Sequence, residues 1–83
     1  YPKAKVLTMW MKNTYISLDM IFIGADGRVR TIEEGTEPLS EEIISSGTPV
    51  TAVLEVAAGV AAEIGVKPGD RVVIDKYFPV GRQ

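Results

Sequence analysis

The sequence predicts a mainly β fold of the α+β class: a small curled or barrel-like, largely antiparallel sheet with one short helix near residues 57–64. Three observations carry this. Segments rich in Val, Ile, Phe and Thr recur along the chain, and Met20-Ile21-Phe22-Ile23 has two apolar faces. Gly, Pro and Asp-Gly steps punctuate these segments as turns do. Only Ala57 to Ile64 has the composition of a helix.

Lys5 to Met11 alternates weakly and is rich in strand formers, so it reads as the first strand. Lys12-Asn13-Thr14 reads as a turn, because Asn and Thr side chains bond nearby backbone. Asp19 to Ile23 is a second strand, with Ile21 and Ile23 on one face and Met20 and Phe22 on the other. Gly24 to Arg28 is a hairpin signal with two competing registers. A two-residue turn on Asp26-Gly27 sets Ile23 opposite Arg30. A three-residue loop with left-handed Gly27 sets Ile23 opposite Val29 and Met20 opposite Ile32. The second matches apolar with apolar and is preferred. Arg28 to Glu34 is the returning strand, and its charges suit an edge or a solvated face.

Gly35 to Pro49 reads as a loop, with a short helical turn over Ser40 to Ile44 capped by Ser40. Thr51 to Val56 is a third strand, with Thr51, Val53 and Glu55 on one face and Ala52, Leu54 and Val56 on the other. In the helix that follows, Gly65 is placed to close the C-terminus and Val66 to supply the accompanying apolar contact. Lys67-Pro68-Gly69-Asp70 fits a type II turn. Arg71 to Asp75 is a last strand, and residues 76–83 read as a tail.

The 83 residues make a single small domain. With no cysteine and no histidine, thiolate chemistry, Ser-His dyads and the commonest transition-metal ligands are excluded. No catalytic, cofactor or metal motif is expected. Asp26-Gly27 lacks the spacing of a calcium loop, and Gly65 to Asp70 lacks that of a phosphate-binding loop. Net charge is −2 and no Lys/Arg run occurs, so nucleic acid is not an expected partner. No run of 18 apolar residues spans a membrane. A monomer or weak dimer is expected, with an unidentified small molecule or protein as partner.

The blocks Trp10-Met11-Lys12-Asn13-Thr14, Leu18 to Ile23, Asp26 to Val29, Val53 to Gly59 and Gly65 to Val72 resemble the domain-of-unknown-function 192 family of bacteria and archaea. The resemblance implies a compact β-rich domain and no established activity, so no catalytic residues carry over. It also implies export, to the periplasm or beyond, although the sequence shows no signal peptide. Family members usually carry an upstream strand and a Gly-Leu-Met-x-Arg box. Their absence makes the chain resemble the C-terminal two-thirds or so of the family domain. Ser17 stands where the family commonly has proline, and Gly24 where an acidic or amide residue is common.

Lys12, Asn13, Asp19 and Glu55 form the one polar constellation the sequence offers. If the third strand lies beside the first two, both carboxylates can share Lys12, and burial would perturb their pKa values as at ligand-anchoring or acid–base sites. The plainer reading has Asn13 and Thr14 satisfying turn backbone and Asp19 capping or pairing with Lys12. Trp10 could stack on a ligand, although a lone tryptophan in so short a chain more often anchors the core. The acidic run of Glu33, Glu34, Glu37, Glu41 and Glu42 reads as a solvated face.

Three functions follow. The first is a non-catalytic binding or accessory domain engaging a ligand or partner around Trp10 to Asp19. The second is a hydrolase or lyase using Lys12 with Asp19 or Glu55. The third is a structural module of a larger exported protein.

Overall fold

The structure is a computed structural model, and it describes residues 3–72. Five strands and one helix follow in the order β1 (Thr8–Met9), β2 (Leu18–Ile23), β3 (Val29–Glu33), β4 (Ile44–Ser45), β5 (Ala52–Ala57) and α1 (Val60–Ile64). They form a three-stranded sheet ordered β3-β2-β5 and a two-stranded sheet of β1 and β4, all antiparallel. The mainly β architecture with one short helix is as the sequence predicts. The sheets are separate, and among the described residues no closed barrel forms.

β2 is the central strand because its sequence is apolar on both faces. Met20 and Phe22 join Leu7, Met11, Val50 and Val53 in one buried cluster. Ile21 and Ile23 join Val29 and Ala61 in a second cluster on the opposite face, with Leu54, Val56 and Val66 packed against it. β5 divides its side chains as predicted, with Val53 to the first cluster and Ala52, Leu54 and Val56 to the second.

The hairpin combines the two candidate registers. The loop is the three-residue form: Gly24 N–H donates to the Arg28 carbonyl at 2.8 Å, and Gly27 takes φ 77°. Ile23 stands opposite Val29 as expected. A bulge between Phe22 and Ile23 then shifts the ladder, so Ile21 faces Ile32 and Met20 faces Glu33 instead of Ile32. The extra residue at the bulge is Arg30, which bonds Asp26 at 3.1 Å. The shift keeps Ile23 opposite Val29, as in the three-residue register, and sets Ile21 opposite Ile32, as in the two-residue one.

Other expectations are corrected. The first strand shrinks to Thr8–Met9, with an isolated bridge from Lys5 to Val50. Ser40 to Ile44 is not helical. Ser40 Oγ accepts from Glu42 N–H at 3.1 Å, but the segment then extends so that Ile44 pairs with Met9. One turn of helix is marginal alone, and burial of Ile44 against the first cluster favours the strand. β5 runs on to Ala57 because Leu18 pairs with it, so α1 starts only at Val60. Gly65 closes α1 in the left-handed conformation, and Gly69 takes φ 94° in the predicted turn. Arg71 bridges Arg28. Residues 73–75 of the predicted last strand, and the tail, lie outside the described residues.

Candidate functional site

The segment around Trp10 is held by a second segment running antiparallel to it. Met11 N–H donates to the Ser40 carbonyl at 3.1 Å, Leu39 N–H to that of Thr14 at 2.9 Å, and Thr36 N–H to that of Leu18 at 2.9 Å. Thr14 N–H closes the predicted turn on the Met11 carbonyl at 3.0 Å. Thr36 is buried, and its hydroxyl accepts from Leu18 N–H at 3.0 Å. That hydroxyl also lies 3.3 Å from Met11 Sδ, and Met11 is buried in the first cluster. Residues 10–18 and 34–42 are therefore zipped together and pinned to the core by Met11.

This frame displays apolar side chains outward. Trp10 is 47% exposed, Tyr15 78%, Ile16 62% and Leu39 49%. Trp10 is thus not the core anchor; its neighbour Met11 is. Lys12 Nζ sits 5.1 Å from the centroid of the Trp10 ring, a cation–π contact. Asn13 is exposed at the turn. Leu39 has φ 64°, a left-handed conformation that costs a non-glycine residue about 1–2 kcal/mol.

Asp19 is elsewhere. It is 1% exposed, and its carboxylate is shared among three backbone donors. Oδ1 accepts from Gly35 N–H at 2.9 Å; Oδ2 accepts from Gly59 N–H at 3.0 Å and Ala61 N–H at 3.1 Å. Gly59 is the N-cap residue of α1 and has no side chain to cap it, so Asp19 caps the helix from across the sheet. Burial pushes the Asp19 carboxyl upward, but the N–H bonds from Gly35, Ala61 and Gly59 together hold it below its ordinary value.

Glu55 stands opposite Met20, while Asp19 stands opposite Val56. Adjacent residues of a strand point to opposite faces, so the two carboxylates lie on opposite sides of the sheet. Burial raises the Glu55 carboxyl above its ordinary value. The structure therefore gathers Trp10, Lys12 and Asn13 on one loop but separates Asp19 from Glu55. No ion pair joins Lys12 to Asp19, whose oxygens are taken by main-chain donors.

The sequence reading missed Tyr15, Ile16 and Leu39. Two large apolar residues between a turn and a strand, and a lone leucine among glutamates, were the available signals. It also missed a cavity of about 300 Å³ beside this surface, lined by Met11, Thr36, Glu37, Glu42 and Ile43 among others. Among the described residues, no group of three or more potential ligands could hold a metal ion.

Residues 1–74 match the DUF192 family, described as Uncharacterized ACR. The chain belongs to the DUF192 family. Two solved structures share this fold. One, from Sinorhizobium meliloti 1021 and described as a proposed transcription regulator, is 52% identical with a TM-score of 0.82, over 86% of this chain and 55% of that one. The other, a protein of unknown function from Novosphingobium aromaticivorans DSM 12444, is 44% identical with a TM-score of 0.79, over 82% of this chain and 49% of that one. The chain thus spans about half the length of these two relatives. No curated protein matches it.

Proposed function

We propose that this DUF192 chain is a non-catalytic binding module that engages a small molecule or protein partner through the loop from Trp10 to Ile16. The observation that carries the reading is the combination of exposure and restraint: Trp10, Tyr15 and Ile16 are exposed on a segment fixed by main-chain bonds and by buried Met11. Apolar side chains shown to solvent on a fixed frame retain little freedom to lose on binding. In this reading Lys12 and Asn13 flank the contact, and Asp19 supports the fold. The separation of Asp19 from Glu55 counts against a hydrolase or lyase that would use both with Lys12.

Because Trp10 is the sole tryptophan, its emission reports on this loop alone. The test is native mass spectrometry after incubation with fractionated metabolites and protein extracts, with Trp10 emission read in parallel. A retained mass that shifts the emission, and is lost in Tyr15→Ser, is expected. If no fraction leaves a mass and none moves the emission, the reading fails.

A second reading, a structural module of a larger exported protein, is favoured by the length of the relatives, about twice the matched region. Export is part of this reading and rests on family resemblance. Cooperative unfolding of the 83-residue chain as a stable monomer would remove the need for additional chain. The transcription-regulator description belongs to the Sinorhizobium protein. A net charge of −2 here offers a DNA backbone little attraction.

A further inference from the structure

The partner's chemistry can be narrowed, on the reading that the Trp10 loop binds. The zipped segments bring Leu39 beside Thr14 and Ser40 beside Met11, so Trp10, Tyr15, Ile16 and Leu39 project from two adjoining loops. Taking roughly 200 Å² for each large side chain, their exposed parts amount to roughly 450–500 Å². Carried on two loops joined by main-chain hydrogen bonds, that much exposed apolar area offers a docking surface.

Leu39 adds a second, independent observation. Leu39 leaves about half of its surface in water while bearing left-handed strain at φ 64°. Its N–H bond to Thr14 would be made equally well by glycine. Strain that the fold does not require points to a role outside the fold.

The third observation is charge. Glu34, Glu37, Glu41 and Glu42 are exposed along the same segment, and no Lys or Arg occurs from Thr31 to Val66. No ion pair neutralises these glutamates among the described residues. The one cation on the facing loop, Lys12, lies over Trp10. Two copies meeting through this patch would set glutamate rims against each other, which disfavours a second copy as occupant.

We infer that this surface docks onto a partner protein at an apolar patch flanked by Lys and Arg. The apolar residues supply contact area, and the glutamate rim selects the partner's charge and speeds encounter.

The test uses four synthetic peptides of equal length: amphipathic helices of Leu with Lys, Leu with Glu and Leu with Gln, and a Lys/Ser peptide without leucine. Each is titrated into the chain, with Trp10 emission and amide chemical shifts read together. The Leu/Lys peptide is expected to saturate, to shift Trp10 emission to the blue and to perturb amides confined to residues 10–18 and 34–42. Its affinity should fall at least tenfold in Leu39→Gly and, separately, in the triple variant Glu37→Gln, Glu41→Gln, Glu42→Gln. Leu39→Gly relieves the positive φ but gives up half-buried side-chain contact, so its amide spectrum outside residues 10–18 and 34–42 is required to match the parent, and lost binding then cannot be charged to misfolding.

Equal binding of the Leu/Glu or Leu/Gln peptide would overturn the charge selection, and equal binding of the Lys/Ser peptide would reduce the effect to counter-ion attraction. Either result refutes the inference. A Trp10 response to a metabolite fraction, with none to the Leu/Lys peptide, overturns this inference and keeps the binding reading. No response to either overturns both.

Discussion

Replacing Asp19 separates the two roles the sequence allowed it. In Asp19→Ala, three backbone donors lose their acceptor. Ala61 is fully buried, so its N–H finds no water and costs about 1–3 kcal/mol. Gly35 and Gly59 are exposed, so their N–H groups recover part of their loss from solvent. The sum is about 3–5 kcal/mol, a large share of the roughly 4–12 kcal/mol expected for a chain this size. Asp19→Asn should not rescue it. The amide keeps one acceptor oxygen but turns an NH2 toward at least one of the same donors, for a loss of about 2–4 kcal/mol. Lys12→Ala removes only an exposed cation–π contact, about 0.5–1 kcal/mol. Urea unfolding of the three variants at pH 7 is the assay. Equal losses in Lys12→Ala and Asp19→Ala, with strong coupling in the double variant, would mean that the two residues form a buried pair. Helix capping by Asp19 through main-chain donors would then be refuted.

The same site sets an acid dependence. The folded carboxyl of Asp19 is held below its unfolded value of about 3.9. The unfolded chain therefore binds the proton more readily, and the stabilisation is complete above about pH 4. It drains away as pH falls through the lowered folded pKa. Asp19→Ala should lose this share of the acid slope.

Glu55 should behave with the opposite sign. Its folded carboxyl is raised by burial, so stability falls as pH rises through that raised value, and Glu55→Gln should be more stable than the parent at pH 7 but not at pH 3. Urea melts at the two pH values check this. Met11→Ala opens a cavity beneath the displayed loop and should cost about 2–5 kcal/mol; Trp10 emission anisotropy should fall in the same variant. Gly59 has φ 95° with open space where a side chain would go, so Gly59→Ala should lose about 1–2 kcal/mol from backbone strain alone. Gly59→Asn should lose less, and thermal melts of the two order them.

Much of the fold was legible because its signals are local. Gly27, Gly65 and the Pro68-Gly69 pair each specify a backbone conformation within a few residues, and each occurs as read. The two-faced pattern of β2 and the face assignment of β5 follow from a period of two. The helical turn at Ser40 failed because its local cap competes with pairing to β1, some 35 residues away. The site was less legible still. Asp19 was read as a cap or as the partner of Lys12, and it is a cap, but of a helix the sequence reading did not connect with it. Its actual partners are main-chain N–H groups 16, 40 and 42 residues away, and every residue but proline carries that group. The exposure of Trp10 was hidden for a related reason: Met11, one position later, took the buried place.

β2 is the shared wall of both apolar clusters, and this governs how the molecule opens. The β2–β3 hairpin closes over a short loop and can form in microseconds. Pairing of β2 with β5 joins residues roughly 30–40 positions apart and waits on a slower chain encounter. Neither cluster keeps its lining once β2 leaves, so the amides of β2 should exchange with solvent deuterium only through complete unfolding. Val50→Ala in the first cluster and Ala61→Gly in the second would then speed exchange at Ile21 and Phe22 by factors that track each variant's global destabilisation, although the two substitutions lie on opposite faces. The rim of α1, which touches only the second cluster, would distinguish the two by exchanging through local fraying.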